Sequence, residues 1–176
     1  MNLHRFLLLP LLCLSGCASL PQSNPNGAIT ALRNLPDKYR TSAVKVSATT
    51  SIAVPPTWYI KARNYNDQDK MYLVTVTKGL MRHASRVPEK EVVGGVFKTT
   101  YPINRHKMLV DSDGAWNAAT KYCTSKGASL ATGKVALTQK DAVSDPIWTV
   151  RCYDANNGYI GTIVILATTG TVVSSN

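Results

Sequence analysis

The sequence predicts an α+β domain: an antiparallel sheet of five to seven strands covered by one main helix at about residues 113–126, preceded by a flexible tether. Three observations carry this. Several segments alternate apolar and polar residues with period two, the mark of half-buried strands. One segment, DGAWNAATKYCTSKG, repeats its apolar residues at helical spacing. Pro, Gly and Asn clusters separate the segments, as turns do.

Taken in order, Val44, Val46, Ala48 and Ile52 alternate with Lys45, Ser47 and Thr49, and Pro55-Pro56 ends that strand. Trp58–Ala62 and Met71–Thr77 flank the polar stretch NYNDQD and read as a hairpin. GLMRHASRV reads as a short helix on which Lys78, Arg82 and Arg86 form one ridge, with Leu80, Ala84 and Val87 turned away. Val92–Tyr101 reads as a strand with a bulge at Gly94-Gly95. In the main helix, Ala115, Trp116, Ala119, Tyr122 and Cys123 share a face, Asp113 can cap the start and Gly127 can end it. In PIWTVRCY, Trp148, Val150 and Cys152 share one strand face. DANNG, residues 154–158, is a hairpin turn, and the apolar YIGTIVILATT that follows reads as a central strand.

The N-terminus carries the address. MNLHR places a cation at Arg5, and the apolar run Phe6–Leu14 is too short to span a bilayer, which takes about 20 residues. A charged start, a short apolar core and the small residues Ser15 and Gly16 are the parts of a secretory signal. Leu14-Ser15-Gly16-Cys17 resembles the lipobox of bacterial lipoproteins. The resemblance implies cleavage before Cys17 and acylation of that residue, with palmitate-like chains holding the protein to a membrane. Residues 1–16 are then a signal peptide, 17–36 a lipidated N-terminus and tether, and 37–176 a single periplasmic domain. Ala18, where an aspartate would favour the inner membrane, implies the outer membrane.

Cleavage would leave 19 Lys and Arg against 10 Asp and Glu, a net charge of +9. It would also remove Cys13 and commit Cys17 to lipid, leaving Cys123 and Cys152 in an oxidising compartment. One bridge, Cys123–Cys152, is the simplest outcome, since both thiols point inward from helix and strand. No C-x-x-C and no neighbouring histidine favours a redox or metal pair.

No catalytic motif stands out. There is no G-x-S-x-G, H-E-x-x-H or phosphate-binding glycine loop, and His83 and His106 lie in no metal spacing. Asp111-Ser-Asp113-Gly114 opens like a calcium loop, but Tyr122 stands where a bidentate Glu is needed. No repeat at solenoid periods is evident. No cofactor is expected. Between Lys61 and Lys107 stand ten Lys and Arg and four acidic residues. Lys78, Arg82, Arg86, Arg105 and Lys107, near several aromatics, are candidate contacts for an anionic partner; a lipid-anchored envelope protein is not expected to meet nucleic acid. The sequence points to a non-catalytic docking or structural component, of the kind found in a secretion or envelope-spanning assembly, that meets an envelope protein. The alternatives are a binder of anionic cell wall or lipopolysaccharide through residues 61–107, or an enzyme whose site has no recognisable motif.

Overall fold

A computed structural model describes residues 24–64, 67–86 and 101–176. The strand read at Val92–Tyr101 falls almost wholly outside the described residues. Eight strands form one antiparallel sheet: β1 (Ala43–Thr50), β2 (Thr57–Asn64), β3 (Asp67–Thr77), β4 (Leu80–Arg86), β5 (Thr132–Thr138), β6 (Ile147–Tyr153), β7 (Tyr159–Leu166) and β8 (Val172–Ser175). Their order across the sheet is β4-β3-β2-β1-β5-β6-β7-β8. Helices α1 (Ala28–Arg33), α2 (Asp37–Arg40) and α3 (Ser112–Ser125) contribute to the single large core on one face.

The sheet has eight strands against the five to seven expected, and the edge strands β4 and β8 and the central β5 are the ones the sequence reading lacks. GLMRHASRV is not a helix. Lys78 and Gly79 both have positive φ, 50° and 72°, and form a two-residue hairpin turn of the kind whose twist matches paired strands. Leu80–Arg86 then pairs with β3. The apolar YIGTIVIL is β7, next to last rather than central; β1 and β5 hold the middle. It is rich in apolar residues because β8 covers its outer edge and α3 packs on its inner face.

The inner face carries Val46, Ala48, Trp58, Ile60, Val74, Val76, Val135, Leu137, Trp148, Val150, Cys152, Ile163 and Ile165, all buried. Val44 does not join them. A register shift between Ala43 and Lys45 turns it away, and it packs instead with Met71 and Leu73. Helix α3 presents Ala115, Trp116, Ala119 and Cys123, as its periodicity predicts. Its cap is Asp111 rather than Asp113. The helix ends at Lys126, and Gly127 at φ 71° lets the Ala128 N–H reach the Cys123 carbonyl at 3.0 Å. Gly133 leaves the space that the Trp116 ring occupies; a Cβ there would lie 2.8 Å from Cζ3.

The expected tether is shorter than residues 17–36. Ala28, Ala31, Leu32 and Leu35 are each at most 3% exposed, so α1 and the residues up to Leu35 are part of the core. The small residues that made this stretch look like a spacer let the helix lie close on the sheet.

Candidate functional site on the open face of the sheet

The two halves of the sheet match residue for residue. KVSAT (Lys45–Thr49) recurs as KVALT (Lys134–Thr138), and WYIKA (Trp58–Ala62) as WTVRC (Trp148–Cys152), offset by 89 and 90 residues. The pairing follows the same plan. Lys45, Val46 and Ser47 face Lys61, Ile60 and Tyr59; Lys134, Val135 and Ala136 face Arg151, Val150 and Thr149. In the middle, Ser47 pairs directly with its own counterpart Ala136, so the approximate two-fold axis passes through that pair. Each half also places its tryptophan alike. Trp58 Nε1 donates to the Asn26 carbonyl at 2.9 Å and Trp148 Nε1 to the Val110 carbonyl at 3.0 Å, just ahead of α1 and α3 respectively.

The symmetry gathers four cations on the outer face. Lys45 stands directly opposite Lys61, and Lys134 directly opposite Arg151. Like charges directly opposite across a strand pair are destabilising. No Asp or Glu faces out from this side of the sheet among the residues whose side chains are described. Burial lowers the Lys45 pKa, and the charges of Lys61 and Arg151 lower it further. Lys134 lies over the Tyr153 ring, with Nζ 5.3 Å from the centroid. Between the pairs is a shallow depression of about 440 Å³, where Ser47, Thr49, Thr138 and Thr149 add hydroxyls to the cations. The arrangement suits an anionic group: oxygen atoms there would meet the threonine hydroxyls and the cations Lys45, Lys134 and Arg151 that line the depression.

The residues expected from the sequence do not form this site. Lys78 sits in the β3–β4 turn. A register shift falls between the pairs Thr75–His83 and Val76–Met81, leaving Arg82 as the bulged residue. Arg86 faces Tyr72, on the inner side. The three therefore make no single ridge, as helix or as strand. Arg105 and Lys107 lie in a 3-10 turn (Arg105–Lys107), and Lys107 is paired with Asp145 at 3.1 Å. His83 lies on β4 and His106 in that same 3-10 turn, so the two are not brought together. The cations that do converge were passed over because they stand singly in strands. The signal was the repeat near 90 residues, far longer than solenoid periods.

Cys123 and Cys152 are both fully buried, with neighbouring thiols, and are not joined in the structure. Burial raises both thiols, Cys152 to about 12, where its Cys123 neighbour adds to the effect. Among the described residues no three His, Cys, Asp or Glu come together to hold a metal ion, and no helix is long and apolar enough to cross a membrane. Cys17 lies outside the described residues.

No protein-family model matches the chain, and comparison with curated protein sequences gives no match. Among solved structures, the chain is similar to a candidate lipoprotein from Clostridium difficile 630 at 12% identity, covering 90% of this chain and 97% of that one, with a TM-score of 0.55. At that identity the likeness shows a common fold, an architecture that the two chains share over nearly their whole lengths.

Proposed function

We propose that this protein is a lipid-anchored, non-catalytic component of the cell envelope, held by acyl chains on Cys17 at the outer membrane, whose periplasmic domain docks an acidic envelope protein on the open face of its sheet. The observation that carries the docking is the depression on that face, where Lys45, Lys134 and Arg151 gather beside threonine hydroxyls and Lys134 stands directly opposite Arg151. The anchor rests on the lipobox Leu14–Cys17; the structural neighbour described as a candidate lipoprotein supports it.

A second reading, an anionic cell-wall polymer or lipopolysaccharide as the ligand, is favoured by exposed Tyr59 and Tyr159 on the same face. Crosslinking and mass spectrometry in intact cells tests the two together. Arg151→Glu combined with Lys134→Glu should abolish crosslinks to one acidic protein while the domain stays folded. Unchanged crosslinks would overturn the docking face, and salt-sensitive loss of sedimentation with purified cell wall would favour the second reading. Fatty-acid label that persists on Cys17→Ser would overturn the anchor.

A further inference from the structure

We infer that the β3–β4 hairpin tip is a second membrane contact, resting its apolar side chains in the phospholipid leaflet beside the lipid anchor; this rests on the acylation of Cys17 proposed above.

The first observation is where the chain joins the domain. Only seven peptide links separate Cys17 from Asn24, so the acylated residue can stand no more than about 25 Å from the domain, even fully extended. The point of attachment is at the hairpin tip. The Asn34 side chain donates to the Gly79 carbonyl at 2.7 Å, and the Pro25 carbonyl lies 3.0 Å from where a Gly79 Cβ would be. Trp58 at the adjacent strand end holds the Asn26 carbonyl.

The second observation is what the tip exposes. Leu80 is 56% and Met81 38% exposed, between the solvent-facing cations Lys78 and Arg82. The neighbouring β1–β2 loop is tied to the tip through the Lys78 N–H and the Pro56 carbonyl at 2.8 Å, and it exposes Ile52 at 54%. Apolar side chains flanked by Lys and Arg match the boundary between acyl chains and anionic headgroups.

The two-fold symmetry supplies an internal comparison. The β7–β8 hairpin places Val172 opposite Ile165 as β3–β4 places Met81 opposite Val76, and each has a register shift just beyond. That counterpart is apolar too, with Val172 at 46% and Val173 at 52% exposed, but its turn, Ala167–Thr171, carries no cation. It lies at the opposite end of the sheet from the attachment point. Leu109 and Val143 are also exposed, at that far end. Among the described residues, only the β3–β4 tip combines apolar exposure, positive charge and proximity to the anchor. Docked there, the strands stand away from the membrane, and the cationic face is left open to the periplasm.

The test is photocrosslinking of the full chain in cells, with p-benzoylphenylalanine placed at Met81 or at its counterpart Val172. Mass spectrometry of the purified protein then reads phospholipid adducts and Cys17 acylation on the same sample. The expected result is phospholipid adducts several-fold more abundant at position 81. A probe at Leu80, compared with Thr171, replaces Met81 if that variant does not accumulate. Acylated protein with equal adducts at both tips, or with protein adducts alone at the β3–β4 tip, overturns the hairpin contact and leaves the anchor standing. Protein without acyl chains overturns the anchor, and the hairpin contact falls with it.

Discussion

Trp58 and Trp148 meet at the centre of the core with ring centroids 6.3 Å apart, each donating its indole N–H to the chain just ahead of the helix of its own half. The two rings join the halves, and each bond ties a helix start to the sheet. Trp58→Phe and Trp148→Phe keep most of the buried ring and remove one bond each. Each should cost about 1–3 kcal/mol, the loss of the bond together with a carbonyl left unsatisfied. Because the rings touch, the double variant should depart from additivity by at least about 0.5 kcal/mol. Urea unfolding of the single and double variants checks this; additive effects would mean that the halves are stabilised independently.

Arg151→Glu should raise stability while weakening the anionic contact. It converts the Lys134 pair to opposite charges and places a carboxylate nearer Lys45, which gains about 0.2–1 kcal/mol. The thermal midpoint and partner retention at low and high salt are the readouts. A lower midpoint with unchanged retention would mean that the cation pairs serve the fold and not a ligand.

How much of this was legible in the sequence differs by element. The main helix was plain, because Trp116, Ala119 and Cys123 repeat at helical spacing within a single segment, and β1, β2 and β6 were plain from their alternation. β4 was misread because Arg82 is bulged. One extra residue breaks the period of two, and Lys78, Arg82 and Arg86 then fall at helical spacing by accident. Helix α1 reads as a short helical patch within a spacer, because six residues with only Ile29 and Leu32 as long apolar side chains give little periodic signal. The site was hidden for a different reason. Lys45, Lys61, Lys134 and Arg151 look like ordinary solvent-face residues, and only strand register brings them opposite one another.

Asp111 couples the two helix starts, and the coupling has a pH signature. Its Oδ1 accepts from Ser112 N at 2.7 Å and Ile29 N at 3.2 Å, while Oδ2 is buried without a partner. Burial raises its pKa, against the backbone N–H groups that pull it down. The folded state therefore holds the proton more tightly than the unfolded chain does. The stability this contributes is fully present below the ordinary carboxylate value, about 4, and is lost as pH rises through the folded pKa. Asp111→Asn removes that dependence, so its stability relative to the native protein should rise from pH 3.5 towards pH 7. Denaturation midpoints at a series of pH values measure the difference. A difference that stays flat would place the carboxyl in solvent. Asp141 and Asp145 have lowered pKa values and act in the opposite direction, but they are common to both proteins and cancel.

Cys123 and Cys152 lie where one oxidation would join α3 to β6. Both are fully buried, and Cys152 at about 12 is far from forming a thiolate at neutral pH. As thiols they should resist a thiol reagent at pH 8 in the folded protein and react only as the domain opens. Exported protein should instead carry the bridge. It closes a loop of about 30 residues, which contributes about 3.6 kcal/mol in the chain-entropy model. Cys123→Ala should forfeit that contribution and also lose a buried sulfur beside Cys152, so its urea midpoint should fall clearly below that of the exported native protein. Reduction alone should lower the native midpoint by a smaller step. Thiol titration of unfolded, periplasm-derived protein decides the matter: none free at these two positions establishes the bridge, and two free thiols refute it. With two free thiols, the buried pair would serve packing alone, and Cys123→Ala would differ from the native protein only by the cost of its cavity.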